Sequence, residues 1–167
     1  MKIFLKILLF SFLNTLLACG QQTYDQKLNS LYKKTVPTIK PAQLDSLRAI
    51  DNLTILDTRS PEEYKVSHIK DAEFVNYDKF KVDQFQQADK EKPIIIYCSV
   101  GYRSERIGEK LLERGYKNVY NLYGGIFQWK NEGYPVYKED KITEEVHAYN
   151  RLWGRWLEDD KAIKVYD

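Results

Sequence analysis

The sequence predicts an α/β domain, a central parallel sheet with helices on both faces, followed by a helical C-terminal extension. Three observations carry that prediction. From about residue 36, short β-type runs alternate with stretches of helical spacing, the pattern of a parallel sheet wrapped by crossover helices. Pro41 and Pro61 stand at first-turn helical positions, where a missing N–H is harmless, and Gly115 stands where a helix over 103–114 would end in a left-handed cap. The apolar run Ile94-Ile95-Ile96-Tyr97 ends directly on Cys98, just ahead of a helix. At 167 residues the chain is long enough for one domain with a proper core and too short for two comfortable ones. Hydrophobic residues at 43% and charged residues at 30% argue against disorder.

The first element is "MKIFLKILLFSFLNTLLACGQQ". Lys2 and Lys6 precede an apolar run from Ile7 to Leu17, suited to a signal-peptide core and well short of the ~20 residues that cross a bilayer. It closes on Leu16-Leu17-Ala18-Cys19, which resembles the lipobox of bacterial lipoproteins. That resemblance implies that residues 1–18 are removed and that Cys19 becomes the lipidated N-terminus. Two or three acyl chains at roughly 0.8 kcal/mol per buried methylene would hold the protein on a membrane. The expected location is extracytoplasmic, on the periplasmic face of the outer membrane if the host has one. Gly20 follows the cysteine, in place of the Asp that signals inner-membrane retention in enteric lipoproteins. Cys98 is then the lone thiol in a compartment where disulfides persist.

Removing Lys2 and Lys6 also brings the chain's 26 basic and 24 acidic residues into balance, because residues 1–18 hold no Asp or Glu. That leaves no electrostatic case for nucleic acid. Two separated His and two separated Cys do not make a zinc set, and no metal is expected.

Residues 19–35 read as the lipid anchor and a polar tether, since "GQQTYDQKLNSLYKK" shows little apolar periodicity. In the domain itself, placed at 36–137, the strand candidates are 53–56, 73–75, 93–97 and 119–122. The helix candidates are 41–50, 61–66, 78–86 and 103–114. Ile107, Leu111 and Leu112 supply the buried face of the last helix. Residues 138–167 form the extension. Its "EEVHAYNRLWGRWLED" puts Val146, Tyr149, Trp153 and Trp156 at helical spacing over 143–157, either packed across the domain or offered to a protein partner or a membrane.

In parallel α/β sheets, sites lie beyond the C-terminal ends of strands, where Cys98 and Asp57 both fall. A cysteine there can be an inert buried hydrophobe. The residues that follow favour the active alternative. Gly101 lets successive N–H groups turn inward as an anion nest, Arg103 adds a fixed charge, and Ser104 can cap the helix and offer its hydroxyl. All three favour an anion in the loop.

With these residues in place, the chain looks like a single-domain rhodanese, a sulfurtransferase. The active-site loop of that family spans six residues from a cysteine, here Cys98-Ser99-Val100-Gly101-Tyr102-Arg103. "LDTRSPEEYKVSHIKDAEFVNY" and "LYGGIFQWKNEGYPV" match further family motifs in order. The resemblance implies a rhodanese-like fold, with no cofactor. Cys98 would carry sulfane sulfur as a persulfide from a small donor to a thiol or cyanide, and Arg103 would bind the donor's anionic tail. Ser99, Val100, Gly101, Tyr102 and Ser104 would form the substrate loop, with Asp57 and Arg59 in support. Ser99 stands where thiosulfate-preferring loops often carry a basic residue, so the donor stays open. Ser67 and Asp71 replace two family glycines. Two other readings remain: a phosphatase or arsenate reductase on the same fold, which typically needs five residues between Cys and Arg where this loop has four, and a non-catalytic rhodanese module that docks partners.

Overall fold

A computed structural model describes residues 22–49, 52–85 and 89–166. The leader, Cys19, and the expected helix ends Ile50 and Gln86 lie outside the described residues. Five strands form one parallel sheet: β1 (Thr38–Ile39), β2 (Thr54–Asp57), β3 (Glu73–Phe74), β4 (Ile94–Tyr97) and β5 (Val119–Leu122). Their spatial order is β1-β5-β4-β2-β3. β4 is the middle strand and is buried on both faces, as its unbroken apolar run requires.

Alternate side chains of β4 feed two cores. Ile95 and Tyr97 join Leu28, Leu44, Leu122, Phe127 and Trp129 on one face, while Ile94 and Ile96 join Val36, Ile107, Leu111, Tyr116 and Val119 on the other. The first face is covered by α1 (Tyr24–Leu31), α2 (Pro41–Arg48) and α5 (Gly125–Asn131), and the second by α4 (Tyr102–Glu113). Pro41 and Pro61 occupy the first turns of α2 and α3 (Pro61–Val66), and Ser60 caps α3 in a reciprocal capping box with Glu63. Gly115 ends α4 at φ +94°. Asp71 adopts φ +63° at one of the positions where the rhodanese resemblance implies glycine, a conformation that Asp tolerates better than most residues.

Three elements differ from expectation. The segment taken as a tether is helical from Tyr24, because Thr23 and Gln26 form a capping box and Tyr24, Leu28, Leu31 and Tyr32 share one apolar face. Leu28 is wholly buried, so from that helix onward the segment belongs to the domain. In place of a helix over 78–86, two 3-10 turns occur at Tyr77–Lys79 and Val82–Phe85. Asn76 caps the first, and Tyr77, Phe80, Val82 and Phe85 pack on the second core. The extension is not one long helix either. After the antiparallel pair β6 (Val136–Lys138) and β7 (Lys141–Thr143), β8 (Glu145–His147) runs parallel to β9 (Ile163–Val165), with only the short α6 (Arg151–Gly154) between them.

The break falls at Tyr149, whose φ is +64°, and at Asn150, which caps α6. The apolar stripe nevertheless turns inward, because Val146 is buried and Trp153 and Trp156 pack against the first core, Trp156 stacking on Tyr24 at 5.4 Å. Most of the face offered to a partner is therefore spent on the domain itself. No helix among the described residues is long and apolar enough to cross a membrane.

Candidate active site

Parallel register sets the site. Asp57 lies beside Tyr97 at the ends of β2 and β4, and Thr58 N–H donates to the Tyr97 carbonyl at 2.8 Å, so the chain after each strand opens on one rim. Cys98 is the next residue, 1% exposed and free. Its Sγ accepts the Gly101 N–H at 3.1 Å, the donor geometry an anionic sulfur needs. Gly101 reaches that position at φ +94°, and a Cβ there would stand 2.2 Å from the Tyr32 hydroxyl, so only glycine fits.

Tyr32 belongs to the segment expected to be a tether. Its hydroxyl donates to the Val100 carbonyl at 2.7 Å and accepts the Gly124 N–H at 2.9 Å, tying the cysteine loop to the Gly-Gly turn. Burial raises that hydroxyl well above its usual range, so it remains a donor. The turn closes the loop from the other side: Ile126 and Phe127 N–H groups at the start of α5 donate to the Cys98 and Ser99 carbonyls at 2.9 and 3.1 Å. Gly125 allows that approach, since a Cβ would lie 2.2 Å from the Cys98 carbonyl oxygen. Sequence reasoning missed Tyr32; the Thr23–Gln26 capping box and the apolar Tyr24-Leu28-Leu31 spacing carried the signal.

Arg103 does not stand free as an anion clamp. Its guanidinium forms a two-pronged pair with Glu63, both contacts at 2.7 Å, and also donates to Ser99 Oγ at 3.0 Å. Ser99 Oγ in turn donates to Glu63 at 2.6 Å. Burial alone would raise the Glu63 carboxyl, but hydrogen bonds and charge from Arg103, with Arg59 and Ser99 adding, bring it down to about 2. Glu63 also accepts the Ser60 N–H of its own capping box, so the start of α3 aims it at the loop. "SPEE" marks the helix start in the sequence; the fold alone places its third helical residue against Arg103.

Ser104 is corrected as well. It neither caps α4, whose N-cap is Gly101, nor lines the pocket; its hydroxyl is buried and donates to Asn121 at 2.7 Å, while Asn121 holds the Gly101 carbonyl at 2.9 Å. Asp57 and Arg59 form a fully buried ion pair at 2.7 Å. Tyr97 donates to Asp57 at 2.7 Å, and its own oxygen accepts the Ile69 N–H at 3.0 Å, so this network braces the strand ends beneath the loop.

Above Cys98 opens a cavity of about 730 Å³, in the range of small-molecule sites. Cys98, Ser99, Val100, Tyr102 and Arg103 line it, whereas Gly101, Ser104, Asp57 and Arg59 act from behind. The lining also includes Leu31 of α1 and His147, Tyr149 and Trp153 of the extension, none of which the sequence had assigned to the site. A smaller surface hollow of about 470 Å³ lies elsewhere, around Arg48, Lys70 and Tyr137, and no cysteine lines it.

The fold and site thus define a parallel α/β domain with a cysteine seated in an anion-holding loop at a strand end. The profile of the Rhodanese-like domain matches residues 40–132, and the chain belongs to that family. The chain is 37% identical over 79 residues to the thiosulfate sulfurtransferase GlpE of Coxiella burnetii, covering 47% of this chain and 73% of that protein. It is 31% identical over 132 residues to a tRNA uridine(34) hydroxylase of Yersinia pestis, 73% of this chain but 36% of that one. Among solved structures, a rhodanese-related protein of Thermoplasma volcanium aligns with TM-score 0.54 at 28% identity, over 61% of this chain and 98% of that one. Residues 22–31 and 143–157, which supply Leu31, His147, Tyr149 and Trp153, lie outside the matched family region.

Proposed function

We propose that the protein is a sulfurtransferase that moves sulfane sulfur from a donor to a thiophilic acceptor through a Cys98 persulfide. The observation that carries this reading is Cys98 Sγ at the floor of an open cavity with a loop N–H directed at it. The Cys98 thiolate attacks the donor's outer sulfur; the bond from that sulfur to the donor breaks, and the donor fragment leaves with the electron pair. The acceptor then attacks the terminal sulfur, and Cys98 departs as the thiolate. The loop amide is positioned to hold charge on sulfur as an oxyanion hole holds it on oxygen. Four residues between Cys98 and Arg103 make a tight cradle, and the guanidinium that phosphate binding would use is occupied by Glu63.

Parallel assays test the reading: thiosulfate, a mercaptopyruvate-type donor and glutathione persulfide against cyanide, beside an aryl phosphate and arsenate. Sulfur transfer that is lost in Cys98→Ser is the expected result. Phosphate hydrolysis or arsenate reduction without sulfur transfer would overturn it, and a Cys98 that alkylates readily but turns over none of these substrates would point to a docking module. We also propose that the protein stands outside the cytoplasm on a lipid anchor at Cys19, a proposal supported by the lipobox-like ending Leu16-Leu17-Ala18-Cys19.

A further inference from the structure

The acceptor's chemistry can be read from the part of the pocket that the family region does not build. Arg103 is held along one edge by Glu63 and Ser99 and covered on one face by the Tyr149 ring, with 5.4 Å between the guanidinium carbon and the ring centroid. Among the described residues lining the cavity, Arg103 is the only Lys or Arg, while Glu62 and Asp78 on the rim are exposed carboxylates. The cavity therefore presents a fixed negative balance at its mouth and apolar, aromatic walls.

Tyr149 is held there deliberately. It is 49% exposed and adopts φ +64°, a costly conformation for an aromatic residue. Its N–H donates to Nδ1 of buried His147 at 3.1 Å, which fixes the turn. An exposed ring kept in a strained turn over the site of a nucleophile is what a substrate-facing wall requires.

We propose that the C-terminal extension selects the sulfur acceptor, and that Tyr149 and Trp153 favour a small organic thiol with an apolar or aromatic body and no negative charge. This rests on the sulfurtransferase reading above. In the transfer, the acceptor's deprotonated sulfur attacks the terminal sulfur of the Cys98 persulfide, forming one S–S bond as the S–S bond to Cys98 breaks. The electron pair goes to Cys98, and the proton released by the acceptor passes through solvent. No oxidant or reductant is needed.

The test is single-turnover discharge of the full chain, loaded at Cys98 with inorganic polysulfide and freed of excess. Acceptors are cyanide, 2-phenylethanethiol, its carboxylate analogue 4-(2-mercaptoethyl)benzoate, and a cysteine-containing peptide, with mass spectrometry following the sulfur on Cys98. The phenylethyl thiol should discharge the persulfide about tenfold faster than the carboxylate analogue. In Tyr149→Asn, which tolerates the left-handed turn, the ratio of phenylethyl-thiol to cyanide rate should fall about tenfold, and Tyr149→Phe should keep it. An unchanged ratio in Tyr149→Asn, equal rates for the carboxylate, or discharge to the peptide alone would overturn the inference while leaving sulfur transfer intact. Failure to load sulfur on Cys98 would remove the sulfurtransferase reading and this inference with it.

Discussion

Tyr32, a residue outside the family-matched region, bonds at once to the two loops that shape the site. Tyr32→Phe keeps the ring and removes one donor and one acceptor, leaving the Val100 carbonyl and Gly124 N–H without their partner. The expected loss is about 1–3 kcal/mol in urea unfolding, with a slower persulfide-forming step. Gly125→Ala should be worse for transfer, since its Cβ would collide with the Cys98 carbonyl and φ is +57°; the loop moves or the α5 contact breaks. Glu63 gives the site an acid limit. Its carboxyl lies at about 2 when folded, against 4.5 ordinarily, so its contribution is present above about pH 4.5 and is lost as pH falls toward 2. Glu63→Gln should flatten the fall in stability across that window, measured by urea titrations at stepped pH, and should lower stability at pH 7 because the partly buried Arg103 loses its counter-charge.

At the scale of elements, legibility followed the strength of the periodic signal. β4 was plain because four consecutive apolar residues end at Cys98, and α4 because Ile107 and Leu111 recur at helical spacing before Gly115. β1 was not, because two residues have no period and its identity rests on pairing with β5. α1 was hidden by a polar composition that masks a single apolar face. The extension misled for the opposite reason: Val146, Tyr149, Trp153 and Trp156 do share helical spacing, but β8 gains backbone partners in β9, a long-range pairing that local spacing does not show. Gly154 fits this arrangement, as a Cβ there would meet the Tyr166 hydroxyl at 2.6 Å. Of the site, Cys98 and its loop were legible, since a loop motif is contiguous. Glu63, Tyr32 and the 147–153 wall were not, because each reaches Cys98 only through the fold. Deleting residues 144–167 should accordingly leave a less stable protein, because it removes Val146, Leu157 and Ala162 from the first core, with a lower thermal midpoint by calorimetry.

At the scale of the molecule, a parallel sheet carries its chemistry on one rim, and two flanking segments outside the family region close over that rim. With α1 starting at Tyr24, the chain between a lipid on Cys19 and the domain can reach at most about 18 Å, so the proposed anchor would hold the domain near a membrane surface. Cys19→Ser should move the protein out of the membrane fraction, or leave an uncleaved precursor there, while the catalytic loop stays intact. The claim on which everything else depends is that Cys98 carries the sulfur. Intact-mass and peptide mass spectrometry after treatment with a sulfane-sulfur donor should find a single gain of about 32 Da located on Cys98, removed by an acceptor and absent from Cys98→Ser. Unaltered mass at Cys98 during turnover, or full transfer by Cys98→Ser, would contradict it.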